Sequence, residues 1–435
     1  MSVAAEAEPE EAMIRRFASS MTTSGLLARA RAHLLAAAAC AASIPLIGCG
    51  AGDASGGAWA GTIADSAGIS VVTNPAAGLW QAAEAWTPLE DLVISDHATP
   101  GLEFGEIIDV DVDSRGRILA LDAMAKAYHV FGPDGAHLFT VGKPGGGPGE
   151  LADPFQLLVL PGDSVLVPDL GNARASVFGP DGSLARTFPV DFLDLAARRW
   201  GVAHDGSVVA RRASSAADVL VRLGPSGEVL DTVAHLDSPA LQSGEAADRP
   251  VLLAPIPVWT ALPAGGVALG HSHNYRITVS DPAGAGRLVF TLPVSPAAFT
   301  DSHRDVIRAG LRAILAEQGM PAEFADQMLA GVSFWDELPV IADLLPGPDG
   351  THWVQRAAAP QAMRFDRLNV YRTDGFRGDA WDVFDADGRY LGQVRFPSGV
   401  RLFRIRDGLL YGIRLDELDV PSIVRFRLER GRADA

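Results

Sequence analysis

Residues 165–182 read VLVPDLGNARASVFGPDG, and the end of this stretch recurs along the chain. VFGPDG lies at 130–135 and again at 177–182, and VFDADG lies at 383–388. GPSG at 224–227 and DPAG at 281–284 are weaker copies. Each copy separates two short runs rich in β-branched and apolar residues, which is the pattern of strands joined by tight turns.

A second turn lies upstream in each unit, for example DSRG at 113–116 and PGDS at 161–164. Each unit therefore has four short strands in roughly 40–50 residues, which is typical of a propeller blade. One such sheet cannot bury both faces, so the units must pack in a ring. The sequence predicts an all-β, six-bladed β-propeller whose blades begin near Ile107, Phe155, Arg199, Ile256, Leu338 and Val400.

The last unit has only three evident strands, so its fourth strand must come from elsewhere. GISVVTNP at 68–75 is an alternating, β-branched run that precedes the first blade. We predict that this N-terminal strand closes the ring by pairing with the last blade, which also covers two open sheet edges.

Residues 295–338 do not have the pattern of strands. Ile307, Leu311, Ile314 and Leu315 are spaced as one face of an amphipathic helix. Gly319 and Pro321 end that helix, and a second short helix follows. The sequence therefore predicts a helical insert between blades four and five.

The stretch 165–182 resembles the NHL repeat, whose blades carry a D-x-x-N-x-R turn. Asp169, Asn172 and Arg174 match this turn, whereas the first blade retains only Asp122. Residues 62–430 also resemble NHL-like six-bladed propeller lipoproteins of Gram-negative bacteria. This resemblance implies a fold and not a reaction.

The N-terminal residues have the features of an export signal. Arg29 and Arg31 precede an apolar stretch of about 15 residues, too short for a transmembrane helix, which needs about 20. The stretch ends in LIGC at 46–49, which resembles the bacterial lipobox. We therefore expect a signal peptide at 1–48, a lipidated Cys49 with a flexible tether at 49–61, and the propeller at 62–435.

The location follows from the same features. Four glutamates before the basic region are unusual for a signal peptide, so Met13 or Met21 is an alternative start. We expect a protein of the cell envelope, anchored in the lipid bilayer and facing the periplasm. The outer membrane is preferred because Gly50, and not aspartate, follows Cys49.

The composition argues against several classes of function. The chain has 435 residues and a formal net charge of −17, which argues against a nucleic-acid partner. Cys40 and Cys49 are the only cysteines, so we expect no disulfide framework, cysteine-bound metal or thiol nucleophile in the propeller. GKPGGGPGEL at 142–151 lacks the following helix of a dinucleotide site and the Gly-Lys-Ser/Thr of a P-loop, so we interpret it as a corner between blades.

Candidate ligand-binding residues are polar side chains predicted on the face where the corners and the turns between second and third strands emerge. They are Asp122, Asp169, Asn172, Arg174, Arg211, Arg212, His271, His273, Arg356 and Arg414. Each has a structural alternative: Asx side chains can tie their own turns, and arginines can be solvated. His271 and His273, two apart on a predicted strand, are the candidate metal ligands.

No nucleophile or metalloprotease motif is present. We therefore favour a module that binds an unknown protein, peptide or carbohydrate without a cofactor and without catalysis. The alternative is a lactonase-like hydrolase or lyase that uses one divalent metal, such as calcium or zinc, in the central channel.

Overall fold

The computed structural model describes residues 59–81, 84–95, 102–191, 199–203, 205–213, 218–236, 251–317, 319–359, 376–416, 418 and 420–431. Cys40, Cys49 and the predicted signal and tether up to residue 58 lie outside these residues. No helix within the described ranges is both long enough and apolar enough to span a bilayer.

Three strands precede the first blade: β1 (Thr62–Ser66), β2 (Ile69–Thr73) and β3 (Trp86–Ile94). The first three blades follow in chain order. Blade one is β4 (Ile107–Val112), β5 (Ile118–Asp122), β6 (Ala127–Phe131) and β7 (His137–Val141); blade two is β8 (Leu158–Val159), β9 (Val165–Asp169), β10 (Arg174–Phe178) and β11 (Leu184–Pro189); blade three is β12 (Trp200–Val202), β13 (Val208–Ala213), β14 (Asp218–Leu223) and β15 (Val229–His235).

Blade four follows a short strand β16 (Val251–Leu252), and the insert separates it from blade five. Blade four is β17 (Pro257–Ala261), β18 (Val267–His271), β19 (Asn274–Ser280) and β20 (Gly286–Thr291); the insert holds α1 (Asp301–Glu317), α2 (Ala322–Ala330) and β21 (Ser333–Phe334); blade five is β22 (Ile341–Pro346), β23 (His352–Ala357), β24 (Arg377–Phe384) and β25 (Tyr390–Arg395), with a 3-10 turn at Pro348–Gly350; blade six is β26 (Val400–Arg406), β27 (Leu409–Leu415) and β28 (Pro421–Arg430). The predicted six-bladed propeller is confirmed.

The core lies between neighbouring blades, because each sheet buries its two faces against the sheets beside it. One apolar cluster joins blades one and two and includes Leu121, Tyr128 and Phe178. Another joins blades five and six and includes Trp353 and Trp381. Alternating side chains point to opposite faces of each strand, so almost every residue of the middle strands is buried.

The repeated turn sequence has a packing reason. Gly182 has φ +82°, a conformation that favours glycine. A Cβ there would lie 2.5 Å from Val141 Cγ2 on the outer strand of the preceding blade. The equivalent Gly135 of blade one has a positive φ and faces Leu92 and Ile94 of β3 in the same way. Thus each such turn fits against the outer strand of the blade before it.

The contact of Gly135 with Leu92 and Ile94 identifies β3 as the outer strand of the blade before blade one. β3 pairs antiparallel with β28 and supplies the fourth strand of blade six, so an N-terminal strand does close the ring. The prediction that residues 68–75 would be this strand was wrong. β2 instead pairs in parallel with β20, and β1 pairs with β2, which gives blade four two additional outer strands.

The insert forms a two-helix cap, which we define as residues 295–338. Ile307, Leu311, Ile314 and Leu315 of α1 are buried, as their spacing predicted. They share an apolar cluster with Leu329 of α2 and with Phe376 and Leu253 of the neighbouring blades. β16 and β21 pair in parallel and tie the cap to the chain segment before blade four.

Candidate functional site

A central channel runs between the first strands of the six blades. It encloses about 2750 Å³. Its lining includes residues of β4, β8, β12, β17, β22 and β26, and Gly310, Ala313, Ile314 and Glu317 of α1 border one end. We call this end the cap-side mouth. A large concave space roofed by a helix is the default place to look for a ligand.

Two aspartates of β4 stabilise the wall of the channel. The Leu157 N–H donates to Asp109 Oδ2 at 2.9 Å, and the Val159 N–H donates to Asp111 Oδ2 at 2.9 Å. Innermost strands have one edge without a neighbouring strand, so their buried amides need other acceptors. These two carboxylates therefore join blade one to blade two.

Arg404 balances part of this negative charge. Its Nε lies 3.1 Å from Asp111 Oδ1. Burial raises the pKa of Asp109 to about 6; Arg404 and the Leu157 amide oppose this shift, and the neighbouring Asp111 adds to it. Asp109 is thus a buried carboxyl whose pKa lies well above that of an ordinary aspartate.

A second ionic group spans the channel. Arg199, directly before β12 of blade three, places Nη2 2.7 Å from Asp343 Oδ1 on β22 of blade five. Arg377 of blade five donates from Nη1 to Asp343 Oδ2. Burial opposes ionisation of Asp343, but the two guanidinium groups outweigh it and hold the pKa of this carboxyl below its usual range. This group links two blades that are not neighbours.

Two of the predicted ligand-face residues do line this channel. Arg211 makes a bidentate pair with Asp218, at 2.9 Å and 2.7 Å, and Arg356 pairs with Asp382 and lies 5.0 Å above the ring of Tyr275. Asp218 and Asp382 are buried and do not line the channel. The channel therefore meets the guanidinium groups and not their carboxylate partners.

Asp122 and Asp169 hold the corners between blades. Asp122 accepts hydrogen bonds from the backbone of Gly105 and Glu106 at 2.7 Å and 3.1 Å. Asp169 accepts from Ala152 and Asp153 at 2.9 Å and 2.7 Å. Both side chains are fully buried, so this repeated aspartate ties a turn to the corner beside it.

Asn172 and Arg174 organise the glycine-rich stretch. Asn172 donates to the Gly145 carbonyl at 3.1 Å, and Arg174 donates to the carbonyls of Gly146, Gly147 and Glu150. No helix follows the stretch: Pro144 and Leu151 form a β-bridge across it. The stretch is a corner between blades one and two, as we interpreted it from the sequence; the contacts of Arg174 were not predicted.

Arg414 and Arg212 do not line the channel. Arg414 reaches outward to Glu90 of β3 and so helps to hold the closing strand. Arg212 is half-buried and directly follows Arg211 on β13, so it points to the opposite face of the blade.

The prediction that His271 and His273 lie two residues apart on one strand was wrong. β18 ends at His271, and His273 lies in the turn before β19 instead of two places along the same strand. His273 Nδ1 lies 2.9 Å from Ser272 Oγ, and Nε2 lies 3.0 Å from the Glu337 carbonyl of the cap. Burial lowers the pKa of His273, and its two ring nitrogens connect blade four to the cap.

Metal-binding side chains do not gather elsewhere in the described ranges: no three His, Cys, Asp or Glu residues come close enough together to hold an ion. Sequence reasoning missed most of the charged residues that line the channel, among them Asp109, Asp111, Arg199, Asp343, Arg377 and Arg404. A signal existed for Asp109, Asp111, Asp343 and Arg404, because each interrupts an apolar run assigned to a blade.

Comparisons with known proteins find similar folds at low identity. No family model and no curated protein sequence matches the chain. A candidate exported protein of Bacteroides fragilis has 10% identity and a TM-score of 0.47, covering 82% of this chain and 99% of that one. A DUF4221 family member from Bacteroides vulgatus has 11% identity and a TM-score of 0.49, covering 80% and 99%.

A third similar structure is virginiamycin B lyase of Staphylococcus aureus, in a catalytically inactive form with quinupristin. It has 10% identity and a TM-score of 0.40, covering 79% of this chain and 99% of that one. At these values the similarities do not carry an activity, a substrate or a location to this chain.

Proposed function

We propose that this protein is a lipid-anchored, extracytoplasmic propeller that binds a ligand in its channel beneath the cap. The observation that carries the proposal is the group Arg199–Asp343–Arg377, which lies on the channel lining and connects blades three and five. A charged, roofed cavity of this size can admit a small molecule or the end of a peptide or carbohydrate.

A binding role is favoured over catalysis by how the charged groups are paired. Asp343 and Asp111 each contact guanidinium groups, and Asp109 accepts backbone N–H groups. A general base or nucleophile needs a partner that activates it, and the described channel residues supply ion pairs instead. The metal-dependent hydrolase or lyase is the alternative, and it needs three or four converging oxygen or nitrogen ligands.

The anchor and the location depend on the N-terminal sequence. The basic residues, the short apolar stretch and LIGC at 46–49 support export and lipidation at Cys49. NHL-like lipoproteins of Gram-negative bacteria remain the proposed relatives. The proposed location is the periplasmic side of the cell envelope, with the outer membrane preferred.

Anchoring is tested by labelling with a radioactive or alkyne-bearing fatty acid in a Gram-negative host. Wild type should incorporate label and fractionate with membranes, whereas Cys49→Ala should do neither. Cys40→Ala is the matched control and should behave as wild type. Equal labelling of Cys49→Ala and wild type would contradict the anchor.

Ligand binding is tested by incubating the purified protein with a small-molecule extract of cell envelopes, followed by native mass spectrometry. Wild type should retain at least one molecule. Ala313→Trp, which places a large side chain at the cap-side mouth on an exposed position of α1, should lose it. Retention of no molecule by wild type would contradict a small-molecule function.

A further inference from the structure

Blade one carries two histidines on its two outer strands. His129 on β6 is buried, whereas His137 and Thr140 on β7 are exposed. In the pairing of β6 with β7, His129 is directly opposite Thr140, and His137 is opposite Phe131. Because His129 and Phe131 are two apart on their strand, both histidines lie on the same face of the blade.

The two imidazoles point toward one atom. His129 Nδ1 lies 2.9 Å from Thr140 Oγ1, and His137 Nε2 lies 3.0 Å from the same oxygen. The ring centroids are 6.0 Å apart, and the ring planes are inclined at 62°. One nitrogen of each ring therefore faces a shared point on the exposed outer strand.

The other nitrogen of His129 faces a buried carboxylate. Among the described residues His129 Nε2 has no hydrogen-bond partner, and it lies 4.0 Å from Asp122 Oδ2. Asp122 is fixed by the backbone hydrogen bonds of its corner. A carboxylate favours the tautomer that carries its proton on the nearer nitrogen, so the lone pair of Nδ1 is directed toward Thr140 and His137.

The propeller repeat does not require histidine at these positions. The strand registers identify the residues that correspond to His129, His137 and Thr140 in four other blades. They are Ser176, Leu184 and Thr187 in blade two, Val221, Val229 and Thr232 in blade three, Thr278, Gly286 and Val289 in blade four, and Asp382, Tyr390 and Gln393 in blade five. These blades form the same two strands without histidine, so blade packing does not explain the pair.

Two imidazole nitrogens are suitable ligands for borderline divalent metals such as zinc, nickel and copper. A Zn–N bond is about 2.0–2.1 Å long, so the exposed side chains of His137 and Thr140 must rotate slightly while His129 stays fixed in the blade. Ligating histidines commonly direct their second nitrogen at a carboxylate, as His129 does toward Asp122. No third His, Cys, Asp or Glu of the described residues completes the group, which leaves positions for the Thr140 hydroxyl and water.

We propose that His129 and His137 form a divalent transition-metal site on the outer strands of blade one, with water in its open coordination positions. Neither histidine lines the channel, so the site is independent of the proposed channel ligand. The net charge of −17 attracts cations in general, and the imidazoles select ions that prefer nitrogen ligands over Mg²⁺ and Ca²⁺, which prefer oxygen.

The test uses purified full-length protein, produced without a histidine tag and freed of metal with a chelator. Isothermal titration calorimetry with Zn²⁺ should show saturable binding, and Mg²⁺ at the same concentration should not bind. His137→Gln should weaken Zn²⁺ binding by about tenfold or more, because one of the two nitrogen ligands is lost. His235→Gln is the matched control: His235 is exposed on the outer strand of blade three, and its variant should bind as wild type.

Two further measurements separate a metal site from a purely structural pair. His137→Gln should shift the melting temperature of the metal-free protein by less than about 1 °C, because the side chain is exposed. Cu²⁺ bound to wild type should give an electron paramagnetic resonance spectrum split by two nitrogen nuclei, and Cu²⁺ bound to His137→Gln should lose one of them.

Three results would overturn the inference. The first is the absence of saturable Zn²⁺ binding by wild type. The second is equal Zn²⁺ affinity of wild type and His137→Gln, which would show that the ion binds adventitiously elsewhere. The third is a Cu²⁺ spectrum of wild type without nitrogen splitting.

Discussion

Ring closure by β3 makes a prediction that three soluble forms of the protein test. They begin at residues 59, 76 and 96. The first has all three N-terminal strands, the second lacks β1 and β2, and the third also lacks β3. We expect the form that begins at 76 to remain a folded monomer, and the form that begins at 96 to lose cooperative folding.

The loss of β1 and β2 removes a limited set of contacts. Val72 is fully buried, and Asn74 accepts from the Tyr390 N–H at 2.7 Å and donates to the Gly388 carbonyl at 2.9 Å. Burial of one such side chain contributes roughly 1.5–3 kcal/mol, and each hydrogen bond contributes about 1 kcal/mol. These terms sum to about 3.5–5 kcal/mol, and the ladder between β2 and β20, which pairs at four positions, adds further hydrogen bonds. Because a loss of about 5 kcal/mol corresponds to a fall of about 6 °C for a domain of this length, the form that begins at 76 should melt at least about 6 °C lower.

The loss of β3 removes much more. β3 pairs with β28 at eight positions, buries Ile94, stacks Trp86 at 5.9 Å on Trp353 and forms an ion pair between Asp91 and Arg425 at 2.9 Å. The Ile94 side chain alone accounts for about 2–3 kcal/mol, and each ladder hydrogen bond adds roughly 0.5–1.5 kcal/mol. The total reaches the usual ~5–15 kcal/mol of a whole domain.

The assay is thermal unfolding followed by circular dichroism, with light scattering to confirm that each form is monomeric. Monomer state matters because an exposed edge of β28 can pair with another chain. As a single-residue check, Ile94→Ala should cost about 2–5 kcal/mol, whereas Ile63→Ala, at a position 54% exposed, should change stability by less than about 0.5 kcal/mol. Cooperative melting of the monomeric form that begins at 96, close to that of the form that begins at 76, would refute closure by β3.

Three further predictions concern single side chains. Asp109 has a folded pKa of about 6 against an ordinary value of 3.8, so the folded state binds more protons than the unfolded state and stability falls as pH rises from about 4 to 7. Asp109→Asn removes this dependence, so the melting temperature of the variant relative to wild type should rise over that range. A constant difference in melting temperature would contradict the raised pKa. Asp169→Ala should lower the free energy of unfolding in urea by about 2–4 kcal/mol, because it leaves the amides of Ala152 and Asp153 without their acceptor. The control Asp181→Ala, at an exposed position, should have little effect. Equal losses of stability in the two variants would argue against the corner role of Asp169. Gly182→Ala should destabilise more than Gly162→Ala, because both glycines have φ near +80° but only Gly182 has a neighbour within 3 Å of the added Cβ; equal melting temperatures would show that φ alone decides.

The blades could be predicted because their turns have a strict geometric requirement. A glycine at positive φ that fits against the outer strand of the preceding blade cannot be replaced without strain, so it recurs at the same place in each unit. The helix of the cap was predictable for a related reason: its apolar face has the helical period, and Ile307 and Leu311 are both buried by it.

The closing strand was not predictable from its pattern. β3 reads WTPLEDLVI and is largely exposed, since it is the outer strand of its blade. Proline is tolerated on an edge strand where its missing N–H faces solvent, and Glu90 and Asp91 pair outward with Arg414 and Arg425. The β-branched run at 69–73 has the stronger strand pattern, but that pattern does not specify which sheet the strand joins.

The candidate site was the least predictable part, because the same residue types serve structure at the corners and line the cavity at the centre. Asp122 and Asp169 are at turns on the predicted face, yet their carboxylates accept hydrogen bonds from backbone amides of the corners and do not face the channel. Asp343 is within an apolar run, yet it lies on the channel lining. The position of a residue in the repeat therefore indicates on which face of the ring it lies. It does not indicate whether its side chain lines the channel or is buried within a blade.

The contacts of the charged residues in the channel show which of these residues the ring needs for its stability. Asp109 and Asp111 accept amides of the adjacent blade, so they replace hydrogen bonds that an innermost strand would otherwise lack. Arg199 and Asp343 join blades three and five across blade four, and blade packing is already provided by the apolar clusters at each interface. A buried ion pair adds little net stability compared with apolar residues of similar volume. The contact between Arg199 and Asp343 is therefore the channel contact that blade packing explains least.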